Sequence, residues 1–387
     1  MRGVEGKGPR REPTRGVGDC TNMSPPRTRS ASALILVGAL TACGQGEGTP
    51  SVVGPTETPL PQNCSISQSL IFSAAPAKDW IPALTNPGFV GPRDESVAFL
   101  KDSDRIVGMV IDGQAYAVPI NVLWWHEIVN LDVGSHSLAI THCPLTGSSL
   151  VFDRAPLGGV EFGVSGLLYL NNLMMYDRST GESLWPQMLR GARCGVQSGT
   201  ALVSIPSLEM EWWRWQTIHP DTRVLGEITG HVRDYSEYPY GDYAEARNAR
   251  TLFPRVVADD RLQPKELVLG VPDGEQQWAI PFGRLESVGS TAAVHPAGAS
   301  PHLVVLWDGL GSSAMAFDSR LETGERLTFR VEDDRIRDDL TDSIWRFDGL
   351  ALAGPLVGTQ LDPIAEAYAA FWFAWVDFHP ETLVWEP

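Results

Sequence analysis

With 387 residues, 43% hydrophobic side chains and 20% charged ones, the chain has a globular composition, large enough for one sizeable core or two smaller ones, which excludes a disordered or fibrous protein. Thirty Lys and Arg against 47 Asp and Glu give a formal net charge of −17, which argues against a surface built to neutralise nucleic-acid phosphates. Thirteen Trp, 29 Pro and 38 Gly favour short strands and defined turns over long helical bundles.

In chain order, Arg27 and Arg29 precede an apolar run from Ala33 to Leu40, and Leu40-Thr41-Ala42-Cys43 closes it with small residues and a Cys. The run is well short of the roughly 20 apolar residues that span a bilayer. Residues 1–43 resemble a bacterial lipoprotein signal with its lipobox. That implies cleavage before Cys43 and a diacylglycerol on its sulfur. The mature protein would then be extracytoplasmic, periplasmic or at the cell surface, and lipid-anchored to the cell membrane or outer membrane. Residues 1–22 are Arg-rich and unlike the start of such a signal, which makes Met23 an alternative start. Loss of residues 1–43 removes seven basic and three acidic residues, so 23 basic against 44 acidic leaves −21 on the mature chain. Residues 44–75 begin with a Gly-, Thr- and Pro-rich stretch of the kind that forms a flexible tether. Beyond Cys20 and Cys43, the cysteines Cys64, Cys143 and Cys194 are odd in number, so at least one is unpaired within the chain. Both a Cys64–Cys194 and a Cys143–Cys194 bridge fit the sequence.

The body then reads as a repeat. RIVGMVIDGQAYAVP, from Arg105 to Pro119, alternates around Asp112-Gly113 as a hairpin, and ELVLGVPDGEQQWAIP, from Glu266 to Pro281, repeats it around Asp273-Gly274. GSSLVFDR at Gly147 to Arg154 is matched by GSSAMAFDSR at Gly311 to Arg320, and Ser183-Leu184-Trp185 by Ser343-Ile344-Trp345. WWRWQTIHPDT, from Trp212 to Thr222, is matched by WFAWVDFHPET, from Trp372 to Thr382. The order is kept throughout, as a duplicated unit requires. The expected fold is α+β and mainly β. It comprises a first repeat over 76–232, a Tyr-rich connection over 233–264 carrying DYSEYPYGDY, and a degenerate second repeat over 265–387.

Framework residues recur in both copies, including His219 and His379 of the His-Pro pairs, so the residues that differ point to a site. The densest stretch is Trp124 to Arg154. Aligning Pro119 with Pro281 sets His126 opposite Val288, Glu127 opposite Gly289 and Asn130 opposite Ala292, and aligning the GSS turns sets Cys143 opposite Trp307. His126 and Asn130 share a face of a short helix after Pro119, and Cys143 ends the strand SLAITHC. His142 points the other way along that strand and reads as structural. Tyr176, Asp177, Arg178 and Gln187 are polar residues within an apolar segment and form a candidate substrate-binding group. An Asp177-Arg178 turn with its own ion pair accounts for two of them equally well.

The runs DGQAYAVPINVLWWHEIVN, THCPLTGSSLVFD, SGLLYLNNLMMYDRSTGESLWPQ, HPDTRVL and RDYSEYPYGDY together resemble the bacterial and archaeal family catalogued as domain of unknown function 3179. The resemblance implies a secreted or membrane-attached protein and carries no activity. His142 departs from it, because an aromatic is more usual there. Three functions follow from the residues. One is a ligand- or partner-binding lipoprotein with a polar His, Glu, Asn and Cys site in the first repeat. A second is an enzyme or redox protein with Cys143 as nucleophile, His126 as base, and Glu127 or Asn130 orienting. The third is a zinc or copper site at His126 and Cys143. The Tyr-rich connection is expected to wall the site beside His126. Nucleic acid is not an expected partner, and the cofactor is left open.

Overall fold

The computed structural model describes residues 60–61, 63–179 and 181–387. The expected lipoprotein signal, Cys20, Cys43 and the expected tether as far as residue 59 lie outside the described residues. The described chain is mainly β, with strands in six sheets and four seven-residue helices: α1 Ile120–His126, α2 Trp212–Ile218, α3 Phe282–Val288 and α4 Trp372–Phe378. None of the described helices is long and apolar enough to cross a membrane.

The tether expected over 44–75 is contradicted in its last part, where residues 60–61 and 63–73 join the folded body. Cys64 is disulfide-bonded to Cys194, Leu60 and Ile66 pack on an apolar cluster, and strand Ile71–Ser73 pairs antiparallel with Phe162–Tyr169. The alternative Cys143–Cys194 bridge is therefore not formed, and Cys143 is a free, buried thiol.

Two hairpins set the plan. Arg105–Ile111 pairs with Gln114–Pro119 across Asp112-Gly113, whose positive φ of 48° and 78° suits a two-residue hairpin turn. Leu267–Asp273 pairs with Gln276–Pro281, and its turn is Gly274-Glu275, one residue beyond the expected Asp273-Gly274. In each hairpin the second strand ends on a proline. That proline lacks the N–H a ladder would need, and it directly precedes the next helix, α1 or α3. The chain later returns to each hairpin twice. Leu208–Glu211 and Tyr368–Phe371 add to the first strands, and Arg223–Leu225 and Leu383–Val384 add in parallel to the second strands.

Between those returns, α2 and α4 each lay a tryptophan over a hairpin glycine. A Cβ on Gly108 would stand 2.6 Å from the Trp215 ring, and one on Gly270 would stand 2.1 Å from Trp375, so only glycine leaves room for the indole. Each indole N–H donates to a threonine seven residues on, Trp215 to Thr222 at 2.9 Å and Trp375 to Thr382 at 2.8 Å. His219 and His379 pack on the same two rings, as framework residues do.

The halves share their cores. One cluster joins Trp212, Trp215 and Ile106 to Val304, Phe317 and Trp345, and another joins Phe152, Phe162 and Trp185 to Trp372, Phe373 and Trp375. Two matched hydrogen bonds cross between the halves as well, from Glu211 N–H to the Gly311 carbonyl and from Phe371 N–H to the Thr146 carbonyl.

Candidate functional site

Helix α1 ends at His126, and Glu127 follows with φ of 57°, donating its N–H to the Leu123 carbonyl. The next strand, Ile128–Val133, runs beside His136–Cys143, and the Glu127 carbonyl accepts from His142 N–H at 2.8 Å. This places Glu127 beside the end of the strand that carries Cys143. Both side chains are buried. Burial alone pushes the Glu127 carboxyl up to about 8, and among the described residues it has no hydrogen-bond partner. Burial, and then the nearby Glu127, push the Cys143 thiol up to about 11; its sulfur accepts from Leu173 N–H at 3.3 Å.

His126 does not join this pair. One ring nitrogen lies 2.7 Å from the Pro82 carbonyl and the other 2.7 Å from the Tyr235 hydroxyl, so both are occupied. Burial lowers its pKa to about 4, which keeps the ring neutral. Asn130 is a bracket: its carbonyl accepts from Phe162 N–H at 2.8 Å and its amide donates to the Phe162 and Leu84 carbonyls. The strand ladders also correct the alignment. His142 pairs with Ser149 and Cys143 with Ser148, whereas Trp307 pairs with Ala314 and Asp308 with Ser313. Cys143 thus stands opposite Asp308, and Trp307 stands opposite His142. The same register sets Asn130 opposite His295, which likewise accepts from a strand-initiating backbone N–H, that of Phe329. Asn130 therefore belongs to what the halves have in common.

The second group disperses. Asp177 accepts from Ser183 N–H at 3.0 Å and Trp185 Nε1 at 2.7 Å, and Asp338 does the same for Ser343 and Trp345 at 3.0 and 2.9 Å. Asp177 thus matches Asp338, although the first half carries one more residue before its Trp. Gln187 is spent on Thr141, Ser148 and Asn172. Tyr176 and Arg178 meet at Asp79, with Glu161 completing a partly exposed network.

What the fold does assemble is a cleft of about 580 Å³ between the halves. Matched positions face each other across it: Ile120, Asn121 and Trp124 of α1, and Phe282, Gly283 and Glu286 of α3. Asp104 and Arg105 oppose Glu266 and Leu267 in the same way. The connection contributes Tyr238, Ala244 and Ala246, and Tyr238 stacks edge-on against Trp124 at 4.8 Å. Tyr238 and Tyr240 are close enough to Cys143 that a thiolate there would oppose their ionisation.

The cleft's unpartnered polar atoms come from the first half and the connection. Arg105 Nε donates to Glu209 at 3.3 Å and Nη1 to the Ser312 carbonyl at 3.0 Å, while Nη2 is buried without a partner. Glu209 Oε1, Asn121 Oδ1 and the Tyr238 hydroxyl are also buried and unpartnered. His142 Nδ1 bonds Ser149 Oγ at 2.9 Å, leaving its other nitrogen with no bond to a described residue. Burial and then Arg105 lower His142 to about 3, and burial raises Glu209. Lys265, across the cleft, is pushed down to about 8 by burial and then Arg250. Sequence reasoning missed Arg105, Ser149 and Glu209 and set His142 aside. The signal was present: in register these four face Leu267, Ala314, Ala369 and Trp307. The turn-based alignment, one residue out, hid two of those exchanges.

Among the described residues no group of three or more His, Cys, Asp or Glu side chains is arranged to hold a metal ion. No curated protein and no solved structure matches the chain. A family model does match residues 78–382, a span that takes in both hairpins, the connection and both tryptophan helices. The chain therefore belongs to the family described as protein of unknown function DUF3179.

Proposed function

We propose that this protein is a small-molecule-binding module, held outside the cytoplasm by a lipid on Cys43, and that its ligand occupies the cleft between two halves descended from one duplicated unit. The observation that carries the reading is the concentration of open hydrogen-bonding atoms on the cleft's residues: Arg105 Nη2, Asn121 Oδ1, Glu209 Oε1 and the Tyr238 hydroxyl. A buried polar atom without a partner costs about 1–3 kcal/mol, which a fold retains where something else completes the bond. The matched positions of Arg105, Asn121 and Glu209 are Leu267, Gly283 and Ala369, so the duplicated framework stands without these groups. The volume also falls in the range of roughly 300–1,000 Å³ common to small-molecule sites.

The thiol-enzyme and metal readings have less support. Neither His126 nitrogen is free to take a proton from Cys143 or to bind a metal without breaking a bond it already makes. A thiol held near 11 is also a poor nucleophile at neutral pH.

Filling the cleft tests the reading. Gly283 lines it, and an added Cβ meets only the Glu266 carboxylate at 3.3 Å, the far end of a flexible side chain. Thermal melts of the mature protein with amino acids, carboxylates, amines, nucleosides and sugars should find a compound that raises the melting temperature of wild type and leaves Gly283→Leu unmoved. A panel in which every stabilising compound acts equally on both proteins would remove the cleft from consideration.

A further inference from the structure

We infer that the cleft takes a neutral, hydroxyl-rich ligand of the sugar class; this rests on the cleft being a binding site. Four carboxylates border the cleft, Asp104, Glu209, Glu266 and Glu286, against two cations, Arg105 and Lys265. Both cations are already engaged. Arg105 is paired with Glu209, and the Lys265 ammonium donates to the Arg250 carbonyl at 2.7 Å while sitting 3.5 Å from the centre of the Tyr243 ring. An anionic ligand would therefore enter a negative field with no uncommitted cation to receive it.

A cationic ligand fails for the opposite reason. Its ammonium could satisfy Glu209 Oε1 and Asn121 Oδ1, but an ammonium has no lone pair to accept from Arg105 Nη2 and adds positive charge beside that guanidinium. The open atoms include at least one obligate donor and two acceptors, with the Tyr238 hydroxyl able to act as either. A ligand that completes such a set must donate and accept at neighbouring positions without a net charge, and vicinal hydroxyls do this. The rest of the lining supplies the second half of sugar recognition. Trp124 and Tyr238 from one side and Phe282 and Phe371 from the other line the cleft with aromatic rings, against which the C–H faces of a pyranose can be buried while its hydroxyls reach the open polar atoms.

The test uses the mature protein and pairs of probes that share one ring and differ in charge. D-glucose and N-acetyl-D-glucosamine are neutral, D-glucuronate is the anion and D-glucosamine the cation. Each is titrated by calorimetry and by tryptophan fluorescence. The neutral sugars should bind, with glucuronate and glucosamine weaker by roughly tenfold or more, because the carboxylate enters a negative field and the ammonium replaces a hydroxyl that both donates and accepts beside Arg105. Gly283→Leu should abolish the binding, and Trp124→Phe should weaken it while retaining a cooperative melt. Tighter binding of either charged sugar overturns the inference. So does the absence of binding by all four. In that second case, a non-sugar compound that stabilises wild type and not Gly283→Leu leaves the cleft as a binding site and discards only the ligand class.

Discussion

The two halves place the same tryptophan on the same hairpin glycine, yet they spend the rims of their hairpins differently. The first half sets Arg105, Asn121 and Glu209 there, and the second sets Leu267, Gly283 and Ala369. Polar residues that recur in register are explained by backbone groups they satisfy: Asp177 and Asp338 cap the turn before a tryptophan, and Asn130 and His295 bracket the start of a strand. Of the polar residues that do not recur, Arg105, Asn121, His142 and Glu209 gather at the cleft. The halves thus act as controls for each other, separating what the fold requires from what the site adds.

The largest expected effect tests whether the framework is shared in energy as well as in geometry. Trp215→Ala and Trp375→Ala each remove a buried indole from a glycine-backed slot, and each strands a buried threonine hydroxyl partner. Each should cost about 3–5 kcal/mol. Denaturant melts should find the two losses alike within about 1 kcal/mol. A loss confined to one half would mean that the halves are similar in outline only.

The next effect is smaller and concerns His126, which has no polar counterpart in the second half although it serves the fold. Replacing it with Val, the matched residue, leaves the Pro82 carbonyl and the Tyr235 hydroxyl short of a partner, a loss of about 2–3 kcal/mol. The change also has a pH signature. In the folded protein the ring pKa is lowered to about 4, while the unfolded chain protonates near 6.5. Between those values the unfolded state binds the extra proton, so wild-type stability falls as pH drops from about 6.5 towards 4. His126→Val lacks that component, and its deficit against wild type should shrink in acid. A deficit that grows in acid would mean that the folded protein holds His126 protonated.

Much of the fold was legible in the sequence, because hairpin turns, strand-ending prolines and tryptophan helices are local signals that fix their own elements. The free Cys143 was one of two arrangements left open, and only the approach of Cys64 to Cys194 decides between them. The site was less legible, since its members come from four places in the chain and meet only through packing between the halves. His126, Glu127 and Cys143 look like a cluster along the sequence, but only Glu127 and Cys143 come together, while the His126 ring turns away to Pro82 and Tyr235. The Gly-Ser-Ser run sits one residue earlier in the second of two equally long turns, which moved the counterpart of Cys143 from Trp307 to Asp308. In a β ladder a slip of one residue exchanges the faces, so sequence alignment at a turn is least secure where the site depends on it.

Glu127 gives the finest comparison, for the matched helix cap in the second half is Gly289. A carboxylate side chain at φ of 57° is held where glycine is at ease, so Glu127→Gly should relieve strain of about 1 kcal/mol rather than weaken α1. The carboxyl adds a term that depends on pH. Its folded pKa is raised to about 8 from an ordinary 4.5 by burial. Below about 4.5 both states hold the proton and the carboxyl makes no difference. Between 4.5 and 8 the unfolded chain releases the proton and the folded protein keeps it, so stability is lost as pH rises through that window and is level above it. Glu127→Gln removes the titration while keeping the strain, and Glu127→Gly removes both. Melts at pH 5 and pH 8 should therefore show Glu127→Gly gaining at both values and Glu127→Gln gaining mainly at pH 8. If Glu127→Gln loses stability at pH 8, the folded protein holds an ionised carboxylate there with a partner to stabilise it. The buried end of α1 would then share the cleft's polar chemistry, and the boundary between framework and site would have to be redrawn to include it.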